Sequence, residues 1–296
     1  MPVPTLPPFP DNVPTHPLLV VDYKLLKAGN TNEINRLWDA ATGLSFWYLK
    51  NHSVQDEVDG MFEMGEATMK LPMEEKMKYE QGDEGSSFGD KAAGANAVNA
   101  TDLLDTAEFI NIAKDDGFVW PKTARRTYPS TVNKRMNSTV VPFIKKSSEI
   151  NTMILNIFND KLSPPAGELA KRHRPGNFSG SKARTIKNPK GMPKGRMAIG
   201  AHTDFGSLSF LHNRLGGLQV LPPGIDEWQY VRLLSLSALS PTIAEAVERN
   251  TDKKKLDTGG VTAWEWFARR IKNQRIKNRK GPERWEASQG TEQGRA

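Results

Sequence analysis

The chain has 296 residues, 37% hydrophobic and 25% charged, with 41 basic against 34 acidic side chains and a formal net charge of +7. That is apolar matter for a sizeable core and excludes a disordered polymer. Cysteine is absent, which excludes disulfides, thiol nucleophiles, Cys-bound zinc and iron–sulfur clusters and leaves His, Asp and Glu as the candidate metal ligands.

No apolar run approaches the roughly 18 residues of a membrane helix, so no membrane partner is expected. The opening MPVPTLPPFPD has neither a basic start nor an apolar h-region, and a cytoplasmic location is expected. Residues 1–17 are rich in Pro and read as an extended arm. LLVVDY (18–23) reads as a strand. Ile34, Leu37, Trp38 and Ala41 then fall at helical spacing behind Asn30 or Thr31 as cap, and Gly43 stops that helix. SFWYLKN (45–51) is expected to return as a strand, followed by a helix after Ser53 that Pro72 breaks, and a short helix over MEEKMKYE. The glycine-punctuated segment 82–100 reads as a long loop, DTAEFINIA (105–113) as a strand, and 130–162 as a helix kinked or split at Pro142. A short helix to Arg172 comes next.

From Lys182 the character changes. ARTIKN, RMAIGAH, SLSFLH, GLQVL and EWQYVRLL are short strand-like pieces punctuated by Gly and Pro, the pattern of a sandwich or barrel. From about residue 235 the chain is expected to be helical, with Thr262 and Glu265 as a capping box and Trp266 and Ile271 docked on the core. The run 269–280 carries seven basic residues in twelve. It reads as a solvated helix face, and alternatively as a surface for an acidic partner such as nucleic acid, the less expected case.

The chemistry-bearing stretch is Ala201-His202-Thr203-Asp204-Phe205-Gly206-Ser207. In an extended strand His202 and Asp204 point to one face and can converge on a single ion, a set that suits iron(II) or manganese. The spacing alone leaves a second reading open, in which Asp204 orients His202 and no metal is present. The other histidines are His16 in the arm, His52 in the N-terminal strand, His173 amid charge, and His212, which reads as a surface residue at a strand end, about 26 Å along an extended chain from Asp204.

The stretch AIGAHTDFGSLSFLHNRLGGLQVLPPG…EWQYV (198–231), with FWYLKNH (46–52) upstream, resembles the iron(II)/2-oxoglutarate-dependent dioxygenases, specifically the isopenicillin N synthase-like branch as found in fungi. The resemblance implies an α+β fold: a double-stranded β-helix, or jelly roll, with N-terminal and C-terminal helices packed around it. It implies three segments: an N-terminal mixed region (1–172), a truncated jelly-roll core (173–234) and C-terminal helices (235–296). It also implies Fe(II) held by His202, Asp204 and a second histidine, with 2-oxoglutarate as cosubstrate and a small molecule and O2 as reactants. Where the family places a Tyr that helps hold 2-oxoglutarate, this chain has Asn188, with Lys187 on the other face of its strand.

The sequence departs from the family late. No histidine follows His212, and no Arg-x-Ser appears where the family grips the distal carboxylate of 2-oxoglutarate. The expectation is an incomplete core of about five strands, no strand after EWQYV, and a missing block between Val231 and Arg232. Activity is then expected to be lost or impaired. The rival reading is a catalytically silent binding protein that uses its basic C-terminal helix.

Overall fold

The computed structural model describes residues 9–191, 196–202, 204–232, 237–241 and 263–279. In chain order the elements are β1 (Thr15–His16), β2 (Val20–Asp22), α1 (Tyr23–Lys27), α2 (Thr31–Thr42), β3 (Trp47–Lys50), α3 (Gln55–Met69), α4 (Met73–Met77), β4 (Gly89–Lys91), β5 (Glu108–Ala113), α5 (Lys114–Val119) and α6 (Ser130–Asn133). A π turn over Met136–Val140 leads into α7 (Val141–Leu162), α8 (Glu168–Arg172), β6 (Lys182–Lys187), β7 (Leu208–Leu211), β8 (Gln219–Val220), β9 (Gln229–Val231) and β10 (Ser237–Pro241). The last helix, α9 (Ala263–Gln274), runs on to a 3-10 turn over Ile276–Asn278. The mixed α+β class expected from the sequence is what the structure shows.

Local chemistry accounts for the clearest elements. Asn30 caps α2 by accepting the Glu33 N–H at 3.0 Å, while the Glu33 carboxylate takes the Asp22 N–H at 2.6 Å, so one helix start also fixes the end of β2. Gly43 closes α2. The helical stripe over 130–162 is split as Pro142 foretells: a π turn precedes the long helix, because a residue without an N–H cannot continue the ladder unaided.

The chain divides into two units, each discontinuous in sequence and cutting across the three contiguous segments expected above. One comprises Met1–Ser53, Ile150–Ala170 and Gly206–Thr251. Its larger sheet has the order β2-β3-β10-β7, with β2 parallel to β3 and the other pairs antiparallel; a smaller one has the order β1-β9-β8. Trp47, fully buried, meets Phe158 edge to face at 6.4 Å and anchors this core with Leu37, Leu49 and Ile154.

The other unit comprises Val54–Glu149, Lys171–Phe205 and Asp252–Ala296. Its antiparallel sheet has the order β4-β5-β6. Register pairs Ile110 with Thr185 and Ile112 with Ala183, and these residues face a core built from Met61, Met64, Val132, Met136, Val140 and Ile144. Gly65 lets α3 approach that face: a Cβ there would stand 2.9 Å from the Thr185 side chain. The alternate residues, Phe109, Asn111, Arg184 and Lys182, therefore present the opposite face.

Several expectations are corrected. RMAIGAH is not a strand: 196–202 is irregular and is tied by the Thr106 N–H to the Ala198 carbonyl, while a Cβ on Gly200 would collide with the Val98 carbonyl. The glycine-punctuated loop contains β4. The Pro-rich arm is not wholly unpaired, since Thr15–His16 joins β9. A strand does follow EWQYV. SALSP forms β10, between β3 and β7. The helix expected to continue through 242–250, and the cap Thr262, lie outside the described residues.

Candidate metal and cosubstrate site

His202 and Asp204 do not share a strand, yet they stand close together. His202 Nε2 stands 3.5 Å from Asp204 Oδ1. The other ring nitrogen, Nδ1, lies 2.8 Å from the Gly200 carbonyl oxygen. A carbonyl only accepts, so Nδ1 carries a proton in that bond; Nε2 faces Asp204, to which it donates when the ring is protonated, and it bears the ring's free lone pair when the ring is neutral. This is the tautomer a metal-ligating histidine needs, fixed from behind. The Asp204 interaction raises the His202 pKa, with the Gly200 bond acting in the same direction and burial opposing both. Both side chains keep contact with solvent, 49% and 35% exposed.

The polar face of the β4-β5-β6 sheet adjoins this pair. Lys182 donates to the Ser87 hydroxyl, and Arg184 Nε donates to Asn111 Oδ1 at 2.6 Å. Asp204 acts electrostatically on both cations. Burial lowers the Lys182 ammonium well below its usual range, and Arg184 adds to that; burial brings the Arg184 guanidinium down to about 10, offset in part by Asp204. Lys182 is half-buried and Arg184 exposed by surface area.

The remaining candidates lie elsewhere. Asn188 is exposed just past the end of β6, and Lys187 bonds Glu108 at 3.2 Å on the core face of the strand. His212 is not a surface residue. It stacks on Phe210 at 5.8 Å, meets His52 edge to face at 5.9 Å, and is pushed down to about 4 by burial, with His52 adding. His52 is buried, its pKa lowered by that burial. His16 bonds the Gln229 side chain at 2.8 Å, and His173 is exposed. Arg232 pairs with Asp11 at 3.2 Å on the surface.

Two donors fit one metal ion; a complete set is not found. Among the described residues no group of three His, Asp or Glu side chains could hold a metal. Sequence reasoning finds His202 and Asp204 by spacing but passes over Lys182 and Arg184, although the alternation in KARTIK places both on one face.

The basic C-terminal segment proves to be largely satisfied within the chain. Phe267 and Ile271 are buried, Ile271 as expected. The Trp266 side chain lies outside what the structure describes. The arginines are not all in solvent: Arg275 is 3% exposed and is held by Glu80 and by Asp83 at 2.7 Å. Lys272 meets Glu84 at 3.1 Å, and Arg279 meets Asp102 at 2.7 Å. Four of the seven cations in 269–280, Lys272, Arg275, Lys277 and Arg279, thus meet acidic neighbours within the chain.

A family model described as the N-terminal region of non-haem dioxygenases in morphine synthesis matches residues 18–132. Leucoanthocyanidin dioxygenase of Vitis vinifera is 30% identical over 200 residues, which span 62% of this chain and 51% of that enzyme. A 2-oxoglutarate-dependent dioxygenase of Aspergillus fumigatus is 24% identical over 282 residues, 83% of this chain and 70% of that one. The chain is thus similar to non-haem, 2-oxoglutarate-dependent dioxygenases along most of its length. The fold agrees: a 2OG-Fe(II) oxygenase family protein from Caulobacter crescentus superposes with a TM-score of 0.61 at 19% identity, covering 77% of this chain and 74% of that one. The chain thus spans about half the length of the grape dioxygenase that it matches. Among the described residues no helix is long and apolar enough to cross a membrane.

Proposed function

We propose that this dioxygenase-family chain carries an impaired iron(II) site made of His202 and Asp204, and that its turnover of 2-oxoglutarate is weak or absent. The observation that carries the reading is the convergence of His202 Nε2 and Asp204 Oδ1 to 3.5 Å, with the ring anchored through Nδ1. The impairment follows from the sequence, which offers no histidine after His212 and no Arg-x-Ser to neutralise the distal carboxylate of 2-oxoglutarate. Losing a charge-assisted bond to that carboxylate alone weakens cosubstrate binding by about ten- to a hundredfold.

On this reading the described sheets are an incomplete jelly roll, and Asn188 stands where relatives place a cosubstrate ligand. Iron, when bound, supplies oxygen activation. The chain's own contribution is to hold the His202 ring by the Gly200 carbonyl with Asp204 beside it. Lys182 and Arg184 oppose a divalent ion, a second reason for weak metal binding. The pairing of the C-terminal cations with Glu80, Asp83, Glu84 and Asp102 speaks against the silent nucleic-acid-binding alternative.

The test combines Mn(II) titration followed by electron paramagnetic resonance with succinate formation in the presence of iron(II), ascorbate and 2-oxoglutarate. Weak Mn(II) binding that falls further in His202→Ala, with no succinate above background, is expected. Substantial succinate formation abolished by His202→Ala would overturn the impairment and reveal a third ligand. Mn(II) binding unchanged by His202→Ala would overturn the site itself.

A further inference from the structure

Cations crowded by protein are normally answered by a carboxylate, because an uncompensated charge is costly to desolvate. The unit that contains the β4-β5-β6 sheet follows that rule at Lys76 with Glu108, Lys91 with Asp105, Lys114 and Arg125 with Asp115, and Arg275 with Glu80 and Asp83. Lys182, which is half-buried, departs from it, and its strand neighbour Arg184, exposed by surface area, likewise has no carboxylate partner among the described residues. Their hydrogen-bond partners are neutral, Ser87 and Asn111, and their remaining close neighbours are rings: Phe267 at 5.0 Å from the ammonium, and Phe109 at 4.0 Å from the guanidinium. Among the described residues neither has a carboxylate within ion-pair distance, and Asp204, which acts on both from farther off, is engaged with His202.

The two cations stand two residues apart on one strand, so they share a face and repel each other. Both are reachable by water. Beside them lies an aromatic wall. Phe205 meets Phe267 at 6.2 Å and Trp264 meets it at 5.7 Å, and Phe205 and Trp264 are only half-buried; Trp264 also stacks on Phe88 and lies under the Arg125 guanidinium, which leaves Phe205 as the more open ring. Two cations on one strand face, held by neutral hydrogen-bond partners beside a half-buried aromatic ring, are complementary to one kind of small molecule.

We propose that Lys182 and Arg184 bind the carboxylate of a small aromatic organic acid whose ring lies against Phe205 and Trp264. This names the ligand class of the site proposed above. It rests on that reading only for placing the ligand beside His202 and Asp204, since the recognition itself needs no metal. The carboxylate accepts from the guanidinium and the ammonium, a charge-assisted arrangement about twice as strong as neutral hydrogen bonds.

The probe is 4-fluorophenylacetate, followed by fluorine NMR on the metal-free full chain, with the uncharged 4-fluorophenylethanol as its control. The acid is expected to bind saturably and about tenfold or more tightly than the alcohol. Its affinity should fall between about 50 mM and about 300 mM salt. Arg184→Gln should weaken it about tenfold, and Arg184→Lys should retain most of it. Circular dichroism checks each fold, and Lys182→Gln repeats the test if Arg184→Gln unfolds.

His202→Ala should leave acid binding unchanged while abolishing residual Mn(II) binding, so failure of the metal reading and failure of this one are told apart. Equal binding of acid and alcohol, or affinity indifferent to both charge-removing variants, would overturn the proposal. So would displacement of the probe by 2-oxoglutarate at a concentration well below the probe's own dissociation constant, which would reassign the cations to a cosubstrate carboxylate.

Discussion

Two basic regions of this chain behave in opposite ways. The run at 269–280 is the densest concentration of positive charge in the sequence, and a reader of the sequence alone would look there for an anionic partner. In the structure Arg275, Lys272 and Arg279 each meet acidic residues from 80–102, and Arg275 is buried in doing so. Lys182 and Arg184 are two ordinary letters in KARTIK. Neutral partners hold them in place and leave their charge unanswered. Charge density along a sequence and charge available for binding are different quantities. The first is a count, and the second depends on which acids the fold brings alongside.

The largest effect that can break this comparison is at Arg275. Arg275→Ala leaves Glu80 and Asp83 without their principal cation and is expected to destabilise the chain by about 3 kcal/mol in urea unfolding. A loss below about 1 kcal/mol would show that the C-terminal pairs are incidental surface contacts.

The comparison has a mirror image among the acids. Asp90 is fully buried, neither of its carboxylate oxygens has a hydrogen-bond partner among the described residues, and its pKa is pushed up to about 6 by burial, with Glu108 adding. A carboxyl raised in the folded state keeps its proton there. Its contribution to stability is present below the ordinary value of 3.8 and is lost as pH rises through about 6. Asp90→Asn is therefore expected to stabilise the chain by on the order of 2 kcal/mol at about pH 8, a gain that vanishes near pH 4. Thermal unfolding across that range checks both the sign and the window.

The smallest expected effect is the most informative about β6. Arg184→Gln removes a cation with no acid to lose, so urea unfolding should shift by less than about 0.5 kcal/mol in either direction. A loss as large as that of Arg275→Ala would mean that Arg184 has a structural ion-pair role, and the two regions would cease to differ.

Much of the chain up to about residue 190 is legible in the sequence. Asn30 as cap, Gly43 as stop, the stripe around Ile154 and Phe158, and the split at Pro142 are local signals that the fold obeys. The misreadings fall where tertiary partners decide. RMAIGAH has strand-forming residues but is pinned by Val98 and Thr106 into an irregular path. SALSP has no two-residue alternation of its own and is overshadowed by the helix-like TIAEAVE that follows; it is a strand because β3 and β7 pair with it on both sides. β4 and α5 are too short, at three and six residues, to show a period. At the candidate site the His202–Asp204 spacing is readable. The mode of convergence is not, since His202 and Asp204 lie outside any strand and do not meet by strand alternation. His212 looks exposed in the sequence because, although Phe210 two residues before it is a local neighbour, nothing local announces His52 against its ring.

The place of β10 bears on how the chain is made. Ser237–Pro241 lies between Trp47–Lys50 and Leu208–Leu211 in the sheet, so an interior strand of that layer emerges from the ribosome after both of its neighbours. Until it arrives, the strand that carries Trp47 and Leu49 presents an unpaired hydrogen-bonding edge beside apolar side chains, the state most open to pairing with the wrong chain. The partners on either side are separated by more than 150 residues of sequence, which makes closing this sheet a slow and late event in biosynthesis. Yield from cells should therefore respond to chaperone supply and growth temperature even where the finished protein, once assembled, is stable.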